Sequence, residues 1–366
     1  SATVSDAGPL LERLAGVTAA VGVGTDTSAR PALDFLLWQP EEDPHHEAAD
    51  LLARLVADGR QTLAFTTSRV QAELVALRAQ RMLPAGSVAA YRGGYLADDR
   101  RLLEQGLQTR RLQGVACTNA LELGVDISGV DAVVTCGFPG TLAGLWQQAG
   151  RAGRAGRDAL AVLIARPDPL DAYLCAHPEL IFDRPVERTV LHPQNPHVLA
   201  PHVAAAAQEL PVTLADTRYF GDTLPALLDG LTAAGHLRRR STGWFWTRPD
   251  RAVDAIDLRS ANGRSVEVVE DATGRVIGQM DPAAADRTVF EGAIYLHQGE
   301  QWLVTGYDRA GHTALAVREK AGYFTQPLAE SDVRIVAPLR SRPLGAATVT
   351  FGMVELSSRV TGFLRR

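Results

Sequence analysis

Residues 147–154, with the sequence QQAGRAGR, have the clearest potential for chemistry in this chain. Arg151 and Arg154 are three positions apart, so the start of a helix would place both on one face. The intervening glycine lets the backbone approach a neighbour closely. Two rigidly held guanidinium groups suit a triphosphate whose negative charge grows during phosphoryl transfer. The segment therefore predicts arginine fingers, although an exposed arginine-rich loop would also explain it when it is considered alone.

Three further polar clusters each follow a short apolar run. Residues 66–69 (TTSR) follow the run 62–65, residues 91–94 (YRGG) follow 88–90, and residues 118–127 (TNALELGVDI) follow the run that ends at Cys117. Parallel sheets bind their ligands at the carboxyl ends of the strands. The four clusters together predict one wall of a cleft that serves a nucleotide and a nucleic-acid backbone, where any single cluster could be an ordinary polar loop.

The elements that must position these clusters alternate regularly from residue 33 to residue 166. Continuous apolar runs alternate with amphipathic stretches, which is typical of an α/β fold with a parallel sheet covered on both faces. The predicted strands are 33–38, 62–65, 88–90, 115–117, 132–136 and 160–165, and the predicted helices are 46–58, 69–82 and 98–108. The apolar stripes of these helices, including Val70, Leu74, Leu77 and Met82, are predicted to be core.

A different order follows residue 167. Prolines mark a connector, and helical patterns at 197–209 and 222–234 precede a hairpin-like run at 236–247. Helix, helix and a two-stranded wing is the order of a winged-helix domain. One arm of the wing carries Arg238, Arg239 and Arg240, which could hold backbone phosphates. The aromatic residues 244–246 on the other arm could stack on bases, but packing within the protein is favoured for them.

From about residue 254 the pattern becomes short alternating strands separated by glycines, which predicts a small β-domain. The predicted organisation has five parts. Residues 1–30 end a first lobe and form a linker, and 31–166 form the α/β lobe. Connector and winged helix occupy 167–252, a small barrel-like β-domain occupies 253–340, and 341–366 begin a truncated C-terminal domain.

Composition narrows the class of protein. The chain has 366 residues, of which 46% are hydrophobic and 22% charged, as expected for two or three globular domains. No secretory signal or apolar run of about 18 residues is present, so we expect a cytoplasmic, nucleoid-associated protein without membrane contact. The three cysteines lack metal-ligand spacing, and no metal site is expected within the chain. A net charge of −5 argues against a protein that binds nucleic acid by its overall charge, but it is compatible with a local basic channel.

These motifs resemble a known family. Residues 61–157 are similar to the second RecA-like lobe of superfamily-two helicases, with 66–69 as motif IV, 118–126 as motif V and 147–154 as motif VI, and residues 1–3 (SAT) match motif III. Two longer stretches, ACTNALELGVDISGVDAVVTCGFPGTLAGLWQQAGRAGRAGR and EGAIYLHQGEQWLV, resemble the YprA/MrfA-type DNA repair helicases, bacterial relatives of the RecQ-four-like repair helicases. The resemblance covers nearly all of the chain.

The resemblance implies roles for individual residues. Arg151 and Arg154 would face the γ-phosphate, and Gln147 would lie near the phosphates. Asp126 would approach the ribose, and Gly124 would let the backbone pass. The residues that would lie along the nucleic-acid track are Ser68, Arg69, Arg92, Gly93 and Thr118.

The sequence also departs from a complete helicase. It contains neither the Gly-x-x-x-x-Gly-Lys-Ser/Thr phosphate-binding motif nor an Asp-Glu-x-His or Asp-Glu-x-Asp motif for Mg²⁺. Both belong to the first lobe of the family, so ATP and Mg²⁺ are expected to require that missing lobe. Zinc is expected only in a region after the β-domain. We therefore expect the chain to be a C-terminal part that is inactive alone.

The leading hypothesis is an ATP-dependent DNA helicase or translocase that acts in DNA repair on single-stranded or partly duplex DNA. The resemblance implies 3′-to-5′ polarity and allows for a repair-nuclease partner. Two alternatives stay open. The motor could act on RNA, or the chain could be a nucleic-acid-binding module with an inert motor remnant, which predicts that no phosphate-binding motif is encoded upstream.

Overall fold

The computed structural model describes residues 3–16, 32–122, 127, 129–153, 158–256 and 265–365. The chain divides into two compact units, one formed by residues 1–188 together with 265–366 and the other by residues 189–264. Gly124, Asp126 and Arg154, which the sequence predicts as nucleotide-binding residues, lie outside the described residues.

The first unit contains a six-stranded parallel sheet with the strand order β1-β6-β5-β2-β4-β3. Helices lie between the strands in the chain, and the RecA-like α/β fold predicted from the sequence is confirmed. The strands are β1 (Leu33–Trp38), β2 (Thr62–Phe65), β3 (Val88–Tyr91), β4 (Gly114–Cys117), β5 (Ala132–Cys136) and β6 (Ala159–Ile164). The helices of this part are α1 (Ala7–Ala15), α2 (Pro44–Ala57), α3 (Arg69–Gln80), α4 (Ala97–Gln108), α5 (Leu142–Ala149), α6 (Pro169–Ala176) and α7 (Glu179–Phe182).

Local sequence signals explain where the helices that flank the sheet begin. Asp43 caps α2 by accepting hydrogen bonds from the backbone N–H groups of His45 and His46, and Ser68 caps α3 by accepting one from Gln71. Apolar side chains fill both faces of the sheet and form two separate core clusters. Among the described residues, no helix combines the length and apolarity that a membrane crossing needs.

The buried face of α3 differs from the predicted stripe. Ala72, Val75, Ala76 and Ala79 are the residues buried against the sheet, whereas Val70 is 41% exposed. Leu74 and Leu77 are only half-buried, and Met82 lies beyond the end of the helix. The prediction of this stripe as core was wrong. The small side chains of α3 face the sheet and let the helix pack closely against it, so Leu74 and Leu77 lie on a different face of the helix. Leu102 on α4 is likewise 58% exposed.

The second unit has the helix, helix and wing order predicted from the sequence. Its elements are α8 (Pro196–Glu209), α9 (Thr217–Phe220), α10 (Leu224–Ala233), and the antiparallel strands β7 (Leu237–Arg240) and β8 (Gly243–Trp246). Leu199, Val203, Leu228 and Trp244 share its core. Trp244 is 6% exposed. It packs within the protein, as the sequence analysis favoured, and is not available to stack on a base. This unit, residues 189–264, overlaps most of the part predicted as connector and winged helix, residues 167–252.

The β-domain of the first unit contains a five-stranded sheet with the order β10-β9-β13-β12-β11. Its elements are β9 (Val266–Glu270), β10 (Val276–Met280), α11 (Pro282–Thr288), β11 (Ile294–His297), β12 (Glu300–Asp308) and β13 (Thr313–Arg318). The described strands form an open sheet with β10 and β11 at its edges rather than a barrel.

A long antiparallel ribbon follows this sheet. It consists of β14 (Thr325–Leu344) and β15 (Ala347–Arg365), which pair along their whole length. The boundary predicted at residue 340 falls inside β14, so residues 341–365 are described as part of the ribbon. Two ion pairs, Arg334 with Glu355 and Arg359 with Glu330, join its strands.

A buried carboxylate joins the α/β lobe to the β-domain. Glu73 on α3 is 1% exposed and accepts hydrogen bonds from four groups. They are the Arg92 Nε at 2.8 Å, the Tyr95 hydroxyl at 2.6 Å and the backbone N–H groups of Gln298 and Gly299 at 3.2 and 3.0 Å. Because two of these donors belong to the β11–β12 turn, one side chain fixes that turn on α3.

Arg92 is equally enclosed, at 2% exposed. Its guanidinium group donates to Glu73 and to the Leu296 carbonyl, and its Cζ lies 4.8 and 5.3 Å from the ring centroids of Tyr95 and Tyr295. A guanidinium group held in this way cannot reach a phosphate. The prediction that Arg92 lies along the nucleic-acid track is therefore corrected, since the residue joins two parts of the protein.

We expect Glu73→Gln to destabilise this junction. The substitution leaves Arg92 buried without its counter-ion, and breaking a buried pair from one side typically costs about 3–5 kcal/mol. Amide hydrogen exchange at Gln298 and Gly299 should accelerate, and the urea midpoint should fall. Asp98→Asn, which breaks the exposed Asp98–Arg101 pair, is the matched control and should change neither measurement. Unchanged exchange at both amides would contradict the junction role of Glu73.

The β11 residue His297 should make stability depend on pH. Burial and then the positive charge of Arg92 lower the pKa of His297 to about 4. The unfolded chain binds this proton near its ordinary pKa of about 6.5, whereas the folded chain resists it. Stability is therefore complete above about pH 6.5 and declines towards pH 4. His297→Gln should flatten this decline in urea titrations, and an equally steep decline in the variant would exclude His297 as its source.

Candidate functional site

A cleft of about 350 Å³ opens at the carboxyl ends of β2, β4 and β5, beside α5. This is the edge of the sheet at which the sequence predicted a site. Its lining includes Thr66 and Thr67 after β2, Thr118 and Glu122 after β4, and Gln148 on α5. The structure therefore brings parts of the segments that resemble motifs IV, V and VI to one place.

Two buried threonines shape the turns that leave β2 and β4. The Thr66 hydroxyl donates to the carbonyls of Ser68 and Cys117, at 3.1 and 3.3 Å. The Thr118 hydroxyl accepts a hydrogen bond from the backbone N–H of Ala120, at 3.5 Å. Thr118 lines the cleft but is only 7% exposed. These contacts hold the two strand exits side by side.

Gln148 connects two walls of the cleft and was not predicted as a site residue. Its side-chain carbonyl accepts from the Thr135 hydroxyl at 3.2 Å, and its amide donates to the Glu122 carboxylate at 3.0 Å. It is 4% exposed. The helical period of α5 could have identified it, because Gly144, Leu145, Gln148 and Ala149 form the buried face, and a buried amide needs partners.

Arg151 braces the segment that follows β4. Its guanidinium group donates to the carbonyls of Glu122 and Ile127, at 2.6 and 2.8 Å. These two residues flank positions 123–126, where the predicted Gly124 and Asp126 lie outside the described residues. The guanidinium group of Arg151, just beyond the end of α5, thus holds the residues on either side of positions 123–126.

Gln147 makes a contact to the first described residue of the chain. Its side-chain amide donates to the Thr3 hydroxyl at 2.8 Å. Thr3 belongs to the SAT sequence that resembles motif III, so the segments resembling motifs III and VI meet here. Gln147 and Arg151 are the predicted nucleotide-binding residues that the structure describes, and both lie at the C-terminal part of α5 or just beyond it.

The predicted nucleic-acid residues of this lobe separate into two groups. Ser68 is exposed at the start of α3, and Arg69 is half-buried, with its Nη2 3.7 Å from where a Cβ on Gly93 would lie. Burial and then the positive charge of Arg92 lower the pKa of Arg69, and its guanidinium group makes no hydrogen bond to the described residues. Ser68 and Arg69 thus follow β2 and Gly93 follows β3, two strands that β4 separates in the sheet, whereas Arg92 is enclosed.

The predicted arginines of the wing lie on β7 of the second unit, and Arg238, Arg239 and Arg240 are all exposed. The Arg239 guanidinium lies 4.9 Å from the centroid of the Trp244 ring, and that of Arg240 lies 5.7 Å from the Phe245 ring. The aromatic residues of β8 thus support the cationic strand.

Comparison with known proteins gives two family matches. Residues 47–156 match the helicase conserved C-terminal domain. Residues 191–261 match the winged helix domain of the ATP-dependent helicase HRQ1. The two matched segments correspond to the α/β lobe and to the helix, helix and wing unit.

Relatives of known name match over most of the chain. The sequence is 32% identical over 324 residues to an uncharacterized ATP-dependent helicase, YprA, of Bacillus subtilis, covering 87% of this chain and 43% of the relative. It is 29% identical to the ATP-dependent helicase HRQ1 of Saccharomyces cerevisiae, covering 100% of this chain and 36% of that relative. The chain thus spans less than half the length of these relatives.

Solved structures extend the similarity to the β-domain and the ribbon. The crystal structure of the DUF1998 helicase MrfA bound to DNA matches with a TM-score of 0.84 and 30% identity, covering 99% of this chain and 50% of that one. A structure of MrfA bound to DNA and AMPPNP matches with a TM-score of 0.80 and 31% identity, covering 91% and 48%. The chain therefore belongs to the YprA/MrfA-type superfamily-two helicases, of which it carries the helicase C-terminal domain and the winged helix domain.

Proposed function

We propose that this chain supplies the second motor lobe of an ATP-dependent DNA helicase or translocase that acts in DNA repair. The observation that carries the proposal is the strand-end cleft. Gln148 and Arg151 join the segment resembling motif VI to the segment resembling motif V through hydrogen bonds, and the Thr66 hydroxyl joins the segment resembling motif IV to the end of β4. A rigid connection of this kind lets a change near the phosphates reach the strand exits that would hold DNA.

The described side chains fit one side of a nucleotide site. Gln147 would supply an amide. The Arg151 guanidinium group donates to the carbonyls of Glu122 and Ile127, so its role at the γ-phosphate is assigned by resemblance, as are the roles of Gly124, Asp126 and Arg154. ATP, when bound, supplies the free energy of phosphoryl transfer, and this chain contributes positive charge to the transferred group. This sequence contains neither the phosphate-binding motif nor the Mg²⁺-binding motif of helicases, so a first lobe would supply both. A further region would bind zinc.

DNA is the proposed nucleic acid because the MrfA structures similar to this chain are described as bound to DNA. Ser68, Arg69 and Gly93 would hold the backbone of one strand, and the wing arginines would contact duplex or separated strands. Movement with 3′-to-5′ polarity and a repair-nuclease partner are part of the proposal through the family resemblance. A cytoplasmic, nucleoid-associated location follows from the same function.

The substrate and the activity can be tested separately. In the complete protein, single-stranded DNA should stimulate ATP hydrolysis, and an RNA of the same sequence should stimulate it much less. Equal or stronger stimulation by RNA would favour the RNA-directed alternative. Reading the upstream coding sequence tests the inert-motor alternative, which requires that it lack the phosphate-binding motif.

Arg154→Ala in the complete protein should lower DNA-stimulated ATP turnover by about 10³-fold, the lower end of the effect of an arginine finger. DNA affinity should stay nearly unchanged, because the residue is assigned to the nucleotide. Arg101→Ala, at an exposed position on α4, is the matched control. Steady-state hydrolysis and fluorescence anisotropy measure the two effects, and unchanged turnover in the Arg154 variant would exclude the motif VI assignment.

Replacing Arg238, Arg239 and Arg240 together with alanine should weaken DNA binding and flatten its salt dependence. The slope of log affinity against log salt should become shallower by about 0.7–0.9 for each phosphate that the wing no longer neutralises. Replacing Arg218, Arg248 and Arg251 changes the net charge of the same unit equally and is the control. If both triple variants change the slope to the same extent, the wing has no specific role in DNA binding.

A further inference from the structure

The leucines of α3 that do not enter the core line a groove on the first unit. Leu74 and Leu77 are half-buried, and Leu77 approaches the β11–β12 turn, with its Cδ2 3.4 Å from where a Cβ on Gly299 would lie. Beyond this point the helix and the β-domain separate and leave a groove of about 650 Å³. We call it the α3 groove. Its far wall is the segment 320–324, between β13 and β14.

The α3 groove has an apolar floor. Among its apolar lining residues, Leu74 and Leu77 of the helix and Phe324 on the far wall are half-buried, whereas Val75 and Leu296 are buried. Apolar side chains that meet in a concave surface away from the core favour an apolar anchor from a partner. The groove therefore suits a short segment that carries one or two aliphatic or aromatic side chains.

The rim of the α3 groove carries two cations that have no ion-pair partner among the described residues. It also carries the carboxylate of Asp43, which accepts hydrogen bonds from the backbone N–H groups at the start of α2. Arg78 is paired with Asp50 at 2.8 Å, and Glu300 is paired with Arg318 at 3.1 Å, so their charges are largely neutralised. The exposed Arg81 and Lys320, the single lysine of the chain, have no ion-pair partner in the described ranges. They lie on opposite walls, one at the end of α3 and the other before β14.

Hydrogen bonds hold both walls of the α3 groove in place before any partner arrives. On the far wall, the Gln301 side-chain amide donates to the Tyr323 carbonyl at 3.2 Å. Glu73 and Arg92 fix the β11–β12 turn on α3 through buried hydrogen bonds. Because the walls are already ordered, docking of a segment carries a smaller entropic cost.

We propose that the α3 groove docks an acidic peptide segment of a protein partner, with an aliphatic or aromatic anchor on the apolar floor and carboxylates towards Arg81 and Lys320. The charge of the rim selects acidic segments, and the floor selects those with an anchor. Nucleic acid fits less well, because two separated cations provide few phosphate contacts. This proposal is independent of ATP hydrolysis.

The test uses the purified chain and the fluorescein-labelled peptide Glu-Glu-Asp-Leu-Phe-Asp-Glu, followed by fluorescence anisotropy at low salt. We expect saturable binding that disappears when Leu and Phe in the peptide are replaced by Ser, or when its acidic residues are replaced by Lys. The double variant Arg81→Glu/Lys320→Glu should bind the original peptide about tenfold more weakly.

Two exposed cations outside the groove provide the matched control. Arg54→Glu/Arg101→Glu changes the net charge equally and should retain binding within about twofold. Equal weakening in both double variants would show binding by net charge only and would overturn the proposal. The absence of saturable binding would also overturn the proposal. A third contrary result would be that a single-stranded DNA oligonucleotide displaces the peptide and binds the Arg81→Glu/Lys320→Glu variant more weakly than the unchanged protein. Leu74→Gln tests the floor in a protein whose rim charges are intact, and unchanged peptide affinity in this variant would count against the groove.

Discussion

The hydrogen-bonded pair of Glu73 and Arg92 is the interaction on which the organisation of the first unit depends. Both side chains are almost completely enclosed, and four donors converge on one carboxylate. A buried pair of this kind adds little net stability compared with a well-packed apolar contact, because both charges must leave water. Its consequence is geometric, since only one placement of the β11–β12 turn satisfies every donor and acceptor.

This junction makes the β-domain an extension of the α/β lobe. The backbone supports the same connection, because the Gln279 N–H donates to the Gly94 carbonyl at 2.9 Å. The loop that follows β3 is therefore fixed by the β-domain on one side and by α3 on the other. Arg69, at the start of α3, lies against this loop with its guanidinium group uncommitted to any hydrogen bond within the described residues. Its position at the strand exits thus depends on contacts that lie far away in sequence.

The cleft shows a similar principle on a smaller scale. Gln148 and Arg151 do not face open space but connect the segment after β4 to β5 and α5. In the proposed function, these cross-links would carry a change at the phosphates to the strand exits at Thr66 and Thr118. The α3 groove shares no lining residue with the cleft, which would leave the groove available for a partner while the cleft works.

The sequence by itself determined the elements and the family. Short apolar runs between helical patterns indicate strands, and β1, β2 and β5 have the limits predicted, although β1 lies at the edge of the sheet and is partly exposed. The motif spacings identified the strand-end site, because the carboxyl ends of parallel strands meet at one edge. Only the tertiary structure decided which polar residues face that site. Arg92 follows a strand just as Thr118 does, yet a carboxylate nineteen positions earlier encloses it. The leucines of α3 have helical spacing, yet smaller neighbours take the core. Periodicity defines faces and strand ends, whereas long-range packing decides what each face meets.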